Sequence, residues 1–192
     1  GATNLVTGLA NAFMDSSPVV AITGQVARTM IGNDAFQEVD ITGITLPITK
    51  HNYLVQEPWE LPHVVEEAFY LAGSGRRGPV LIDVPRDVQL EEFALHQAKF
   101  PQLEGYKPTL EGHPGQIKRA AALLKGSERP LIVAGGGVWQ ADAVPALRQL
   151  AEKTGTPVVH TLMGKASFPN SHPLCLGLMG YHGRVAANTA LS

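Results

Sequence analysis

Asp34-Ala35-Phe36-Gln37-Glu38 places a phenyl ring, a neutral amide and two carboxylates within five residues. Phe36 and Gln37 would suit a small polar substrate held against an apolar cofactor. A second cluster, Tyr181-His182-Gly183-Arg184, sets aromatic, imidazole and guanidinium groups beside glycines, a composition suited to a planar, phosphorylated ligand. His182 equally fits an ordinary exposed histidine. Gly135-Gly136-Gly137 follows an apolar run and precedes a helical pattern. Glycines there let a backbone approach a ligand closely, and the next helix offers N–H groups and a positive dipole end. A tight structural turn explains the same three residues.

Other patterns carry less. Gly73-Ser74-Gly75-Arg76-Arg77-Gly78 matches G-x-G-x-x-G, but that fingerprint must follow a strand and open a helix. Here it closes a helical pattern and precedes a strand, so it is rejected as a dinucleotide loop, with Arg76 kept as a phosphate or ribityl contact. The histidines lack metal-ligand spacing, no HExxH or CxxC occurs, and no G-x-S-x-G elbow is present. Lys50-His51 reads as structural or solvent-facing.

The elements that must position these groups alternate. Leu5, Leu9 and Phe13 form one helical stripe, with Thr3 or Asn4 as cap. Ser16-Ser17-Pro18 stops it, and Val19 to Ile22 is an apolar run of the parallel-sheet type. Ligands bind beyond the C-terminal ends of parallel strands, which makes Gly24 to Glu38 the first loop to inspect. An ordinary αβ unit with a surface loop accounts for the same pattern. A strand is predicted over Ile48 to Val55, a helix from Leu61 to about Gly73, and a buried strand over Pro79 to Pro85. Gln97 to Gly112, with Pro101, Pro108, Gly105 and Gly112, has the look of an interdomain linker. A second series follows: a helix from Pro114, a strand Leu131 to Ala134, a helix Ala141 to Thr154, a strand Pro157 to Thr161, and a final helical pattern at AANTALS.

The 192 residues carry 17% charged side chains and a net charge of −2, which gives no reason to expect nucleic acid or an anionic membrane as partner. Residues 1–89 hold five basic against ten acidic side chains, and residues 90–192 ten against seven, so the second part is the better host for phosphates. Cys175 is the single cysteine and fits a reducing compartment. No apolar run approaches the ~18 residues of a membrane span. The chain opens without Met at a helix start and closes within a helical pattern, as expected of a segment cut from a longer protein.

Taken together, GATNLVTGLANAFMDSSPVVAITGQV, MIGNDAFQE, ITKHNYLV, SGRRGPVLIDVPRDVQ, GGGV, TLMGKASFP and GYHG resemble the large, catalytic subunit of acetolactate synthase (acetohydroxyacid synthase), of the thiamine-diphosphate enzyme family. The resemblance runs nearly end to end. It implies an α/β fold of parallel sheets flanked by helices in two partial domains. Residues 1–89 would be the latter part of the pyrimidine-binding domain, 90–112 a linker, and 113–192 the first part of a Rossmann-like central domain that binds flavin. It implies enzymes that decarboxylate pyruvate on thiamine diphosphate and join the remainder to pyruvate or 2-oxobutyrate, the first common step of branched-chain amino-acid synthesis. The flavin, FAD, is required there but does no net redox work.

By the same resemblance Phe36 and Gln37 line the catalytic pocket, while Ala27 and Arg86 lie at the substrate channel. Arg76, Gly135, Gly136, Gly137, Thr161, Leu162, Met163, Gly180, Tyr181, His182 and Gly183 contact FAD. Two positions depart from the family: Arg86 stands where Lys is usual, and Tyr181 where Met is common. Ala27 replaces a usual Pro at the mouth where herbicides bind, which implies poor inhibition by sulfonylureas. The activating glutamate and the GDG…N motif for Mg2+ and diphosphate are expected before Gly1 and beyond Ser192, so the segment alone is expected to be inactive. A homodimer or homotetramer with a regulatory small subunit is expected, in the cytoplasm of a bacterium or a eukaryotic plastid or mitochondrion. Two alternatives are a related carboligase, such as glyoxylate carboligase, and a non-catalytic cofactor-binding module.

Overall fold

A computed structural model describes residues 1–94 and 103–192, which fall into two compact units, Gly1–Glu111 and Gly112–Ser192. Gln97 and Pro101, both cited above for the linker, lie outside the described residues.

The first unit is built on a three-stranded parallel sheet in the order β1 (Val19–Gln25), β3 (Pro79–Pro85), β2 (His51–Leu54). Parallel neighbours cannot be joined by a hairpin, so helices must cross between them. Those helices are α2 (Ile41–Thr45) and α3 (Leu61–Gly73), with α1 (Val6–Met14) leading into β1 and α4 (Arg86–Leu90) following β3. All seven residues of β3 are buried. Successive side chains point to opposite faces: Val80, Ile82 and Val84 pack with Val64, Ala68 and Leu71 of α3, whereas Leu81 packs with Leu9 and Ile41. A strand covered on both faces reads as one apolar run, which is why Pro79 to Pro85 was legible.

The amino-terminal helix differs from expectation in how it starts. A 3-10 turn over Ala2–Leu5 leads into α1, and neither Thr3 nor Asn4 makes a side-chain cap bond. Asp40 does cap: its carboxylate accepts the Gly43 N–H at 2.8 Å and opens α2. Ile48 belongs to a 3-10 turn begun at Leu46 and Pro47, so β2 is shorter than predicted. Beyond Leu90, Leu103 and Tyr106 pack against the first unit's core.

The second unit repeats the scheme with β4 (Ile132–Ala134), β5 (Val158–His160) and β6 (Cys175–Leu178), parallel in that order. Helices α5 (Pro114–Lys125), α6 (Gly137–Gln140), α7 (Val144–Thr154) and α8 (Val185–Leu191) accompany them. Its core gathers Ala134, Ala151, Val158 and Phe168. α5 buries none of its residues; Ile117, Ala121 and Leu124 line an open groove with Leu131, Leu150 and Pro157. Strand β6 had no sequence signal, because Cys-Leu-Gly-Leu lacks the β-branched residues that mark strands. No described helix is long and apolar enough to cross a membrane.

Candidate functional site

In each unit the parallel strands point the same way, so the loops that follow them gather along one edge. In the first unit these are residues 26–40 after β1, 55–57 after β2, and α4 after β3. Arg28 ties all three together. Its backbone N–H and Nε bond the two carboxylate oxygens of Asp87 at 3.0 and 2.7 Å, its Nη1 reaches the Gln56 carbonyl at 2.8 Å, and Nη2 pairs with Glu91. A planar fork with five donors suits that task in a way Lys would not.

The loop of residues 26–40 carries Phe36 and Gln37 at its tip. Phe36 is 87% exposed, and Gln37 and Asp34 hold φ of 66° and 52°. Left-handed backbone is uncommon outside glycine and persists where surroundings impose it. Here Glu38 folds back so that its carboxylate accepts the N–H groups of Gly32 and Ala35, the latter at 2.8 Å. Those bonds hold its pKa below the usual carboxylate range, Gly32 contributing most. At the base, Thr23 and Gln25 donate to Asp83, which is 1% exposed. Burial pushes the Asp83 carboxyl above its ordinary range, against the two hydrogen bonds and with help from Asp40.

Ala27 and Arg86 each adjoin the Arg28–Asp87 pair, so the structure brings both channel candidates to this edge. Ala27 has φ −58° and ψ 147°, and among the described residues no acceptor takes its N–H. Proline fits such a position, and by restricting the unfolded chain Ala27→Pro should stabilise the first unit by about 0.5 kcal/mol. A urea midpoint lower than that of the unsubstituted chain would contradict it.

Arg76 lies in the connection from α3 to β3, the context that ruled out a dinucleotide loop. Its Nε donates to Ser16 Oγ at 2.9 Å and its guanidinium sits 5.9 Å from the Phe13 ring centre. Lys50 is structural: its ammonium caps the carbonyls at the end of α3.

In the second unit, three of the predicted stretches come together. Gly135–Gly137 follows β4, Thr161–Met163 follows β5, and Gly180–Gly183 follows β6, all on the same edge. Gly136 packs on Met163, whose carbonyl accepts the Trp139 indole N–H at 2.9 Å. The Thr161 N–H donates to the Ala134 carbonyl at 3.0 Å, and the Met179 N–H to the His160 carbonyl at 3.0 Å. Gly180, at φ 97°, has both backbone groups held by the Asn188 amide, at 2.9 and 3.0 Å. Apart from the adjoining backbone, no atom stands within 4 Å of where a Cβ would lie at Gly135, Gly137 or Gly180, so a ligand can approach the backbone there. Leu162 and Tyr181 are 72% and 98% exposed, and His182 meets the Tyr181 ring edge-on at 4.9 Å. Among the described residues no group of three His, Cys, Asp or Glu could hold a metal.

Sequence reasoning missed Arg28, Asp83, Trp139 and Asn188. Only Asp83 left a signal, as a lone carboxylate inside the apolar run Val80 to Val84.

Comparison with known proteins agrees with this geometry. Residues 1–44 match the N-terminal TPP binding domain of thiamine pyrophosphate enzymes, and residues 117–192 match their central domain. The whole chain is 53% identical to the acetolactate synthase large subunit of Mycobacterium tuberculosis and 51% identical to that of Corynebacterium glutamicum, covering 31% and 30% of their lengths. The acetolactate synthase of Arthrospira platensis is 52% identical over the full chain and 34% of its own length. The chain thus spans about a third of the curated relatives it matches. An X-ray structure of a Mycobacterium smegmatis protein, provisionally assigned as a thiamin diphosphate-dependent enzyme, superposes with a TM-score of 0.80 at 26% identity, over 94% of this chain and 34% of that one. The chain belongs to the thiamine pyrophosphate enzyme family, and along its whole length it is homologous to acetolactate synthase large subunits.

Proposed function

We propose that this chain is part of an acetolactate synthase that condenses two pyruvates, or pyruvate and 2-oxobutyrate, with loss of CO2. The observation that carries the reading is an identity of 53% and 51% along the whole chain to large subunits of that name. Thiamine diphosphate, when bound, supplies the nucleophilic carbon and the electron sink for decarboxylation. The first unit's part is to present Phe36 as an apolar wall and Gln37 as a neutral hydrogen-bonding group beside the 2-oxo acid. Arg86 would attract the substrate carboxylate along the channel.

The second unit fits FAD. Open backbone at Gly135, Gly137 and Gly180 gives the approach a dinucleotide needs, and the loops stand at strand C-termini, where doubly wound sheets bind such ligands. Exposed Leu162 and Tyr181 offer apolar and aromatic surface to the ring system. Mg2+ ligands would come from outside this segment.

The test is a chimera in which the chain replaces its 191-residue counterpart in the Corynebacterium glutamicum large subunit. Acetolactate should form from pyruvate within about tenfold of the parent rate, with FAD bound. A holoenzyme that binds FAD yet joins glyoxylate in preference to pyruvate would overturn the reading. In the same chimera Ala27→Pro should raise sensitivity to sulfonylureas; potent inhibition that the substitution leaves unchanged would contradict the proposed channel position.

A further inference from the structure

Asp83 is the feature of the first unit that the reading above leaves unused. A carboxylate inside a fully buried strand costs several kcal/mol unless its oxygens are bonded. Thr23 Oγ1 donates to Oδ1 at 2.7 Å and Gln25 Nε2 donates to Oδ2 at 3.0 Å. The same Nε2 donates to the Val39 carbonyl at 2.7 Å, and Gln25 Oε1 accepts the Val26 N–H at 2.9 Å. Gln25 closes β1 and Val39 ends the exposed loop, so one side chain joins the two ends of the loop.

An ionised carboxylate accepts hydrogen bonds and donates none. Facing Asp83, the Gln25 amide can present only its nitrogen, and that choice also supplies the donor for Val39 and the acceptor for Val26. Turned over, the amide would set an oxygen against Oδ2 and against the Val39 carbonyl. Asp83, the one charged group among these three partners, therefore acts with the Val39 carbonyl and the Val26 N–H to fix which way the amide points. The tip needs such an anchor, because the left-handed Asp34 and Gln37 backbone is held only by bonds around it.

We propose that Asp83 and Gln25 are positioning residues: Asp83 orients the Gln25 amide, which closes the loop of residues 26–40 and holds Phe36 and Gln37 in place against the substrate. The inference rests on the reading of this loop as a pocket wall.

The experiment uses the holoenzyme chimera with Gln25→Glu, Asp83→Asn and both together. Gln25→Glu sets two carboxylates face to face and removes the donor to Val39. It should raise amide hydrogen exchange over residues 26–40 by about tenfold and lower kcat/KM for pyruvate by a similar factor, with FAD affinity unchanged. The double variant again sets a donor against an acceptor between positions 25 and 83, which removes the repulsion of the two carboxylates. The carboxylate at position 25 still offers no donor to the Val39 carbonyl. The double variant should therefore relieve only the part of each loss that comes from that repulsion and leave loop exchange and kcat/KM short of the unsubstituted values, whereas a merely structural role around Asp83 would be restored in full. Unchanged exchange and kinetics in Gln25→Glu would overturn the proposal, as would their full recovery in the double variant. If the unsubstituted chimera makes no acetolactate, the functional reading fails, and the exchange cycle still decides whether the pair closes the loop.

Discussion

Gly164→Ala is expected to destabilise the second unit by about 3 kcal/mol. A Cβ there would stand 2.2 Å from the Ala134 carbonyl oxygen and 3.0 Å from both Ala134 C and Gly135 Cα. All three are backbone atoms, so no side chain can swing aside to relieve the overlap. The Ala134 carbonyl is also committed: it accepts the Thr161 N–H at 3.0 Å, the last bond between β4 and β5 before their loops diverge. Moving it away opens that bond and shifts Gly135, whose carbonyl accepts Ser167 Oγ at 2.9 Å. The Trp139 indole bonds the Met163 carbonyl next door and reports on the change. With Trp59→Phe as background, urea unfolding followed at Trp139 should shift its midpoint down by about 2 M, at a slope of about 1.5 kcal/mol per M. An unshifted midpoint would mean that the Ala134 peptide is free to move and that the close approach of these loops does not depend on glycine. On the FAD-binding role proposed for these loops, FAD affinity should fall alongside stability, because Gly135 to Gly137 and Thr161 to Met163 both move.

What the sequence could reveal follows from where each constraint acts. Pro79 to Pro85 and Leu61 to Gly73 were legible because burial acts along one strand or one helix face and leaves a local pattern. Two loops of the second unit, after β4 and β5, were legible as positions because each follows an apolar run, and the third, Gly180 to Gly183, was legible only from its composition. Their meeting on one edge comes from the order β4, β5, β6, a long-range fact that no local pattern carries. Arg28 and Asp87 are separated by 59 residues and Thr23 and Asp83 by 60, so their pairing is invisible until the sheet forms. The cap expected from Thr3 or Asn4 failed because Gly1 and the turn that follows occupy the helix start. Asp40, which does cap, lies in a loop whose next helix is only five residues long, too short for a periodicity to announce it.

Lys50 shows the same limit from the other side, and its removal is the second large effect expected. Its ammonium donates to the carbonyls of Leu71 and Ser74, the latter at 2.7 Å, and to the Tyr106 hydroxyl at 3.1 Å. Carbonyls at the end of α3 lack helical partners, and a cation there also complements the helix dipole. Tyr106 donates in turn to the Ser74 carbonyl at 3.1 Å and lies beside Gly75, where a Cβ would stand 3.0 Å from the Tyr106 hydroxyl and 3.1 Å from Pro108 Cβ. Burial raises the Tyr106 pKa, but the side-chain bonds to the Ser74 hydroxyl and the Lys50 ammonium outweigh it and bring the phenol below its usual value. Lys50→Met keeps the alkyl stem and deletes the charge. It should destabilise the first unit by about 3 kcal/mol, since hydrogen bonds to charged groups contribute about 1.5–3 kcal/mol and the carbonyls are left part-buried. Tyr106→Phe should cost about 1 kcal/mol, and the double variant less than the two costs combined, because the residues share one network. Urea unfolding followed at Trp59, in a Trp139→Phe background, measures all three. Strict additivity would place Lys50 and Tyr106 in separate interactions. A cost below about 1 kcal/mol for Lys50→Met would mean that water satisfies the end of α3 as well as the ammonium does.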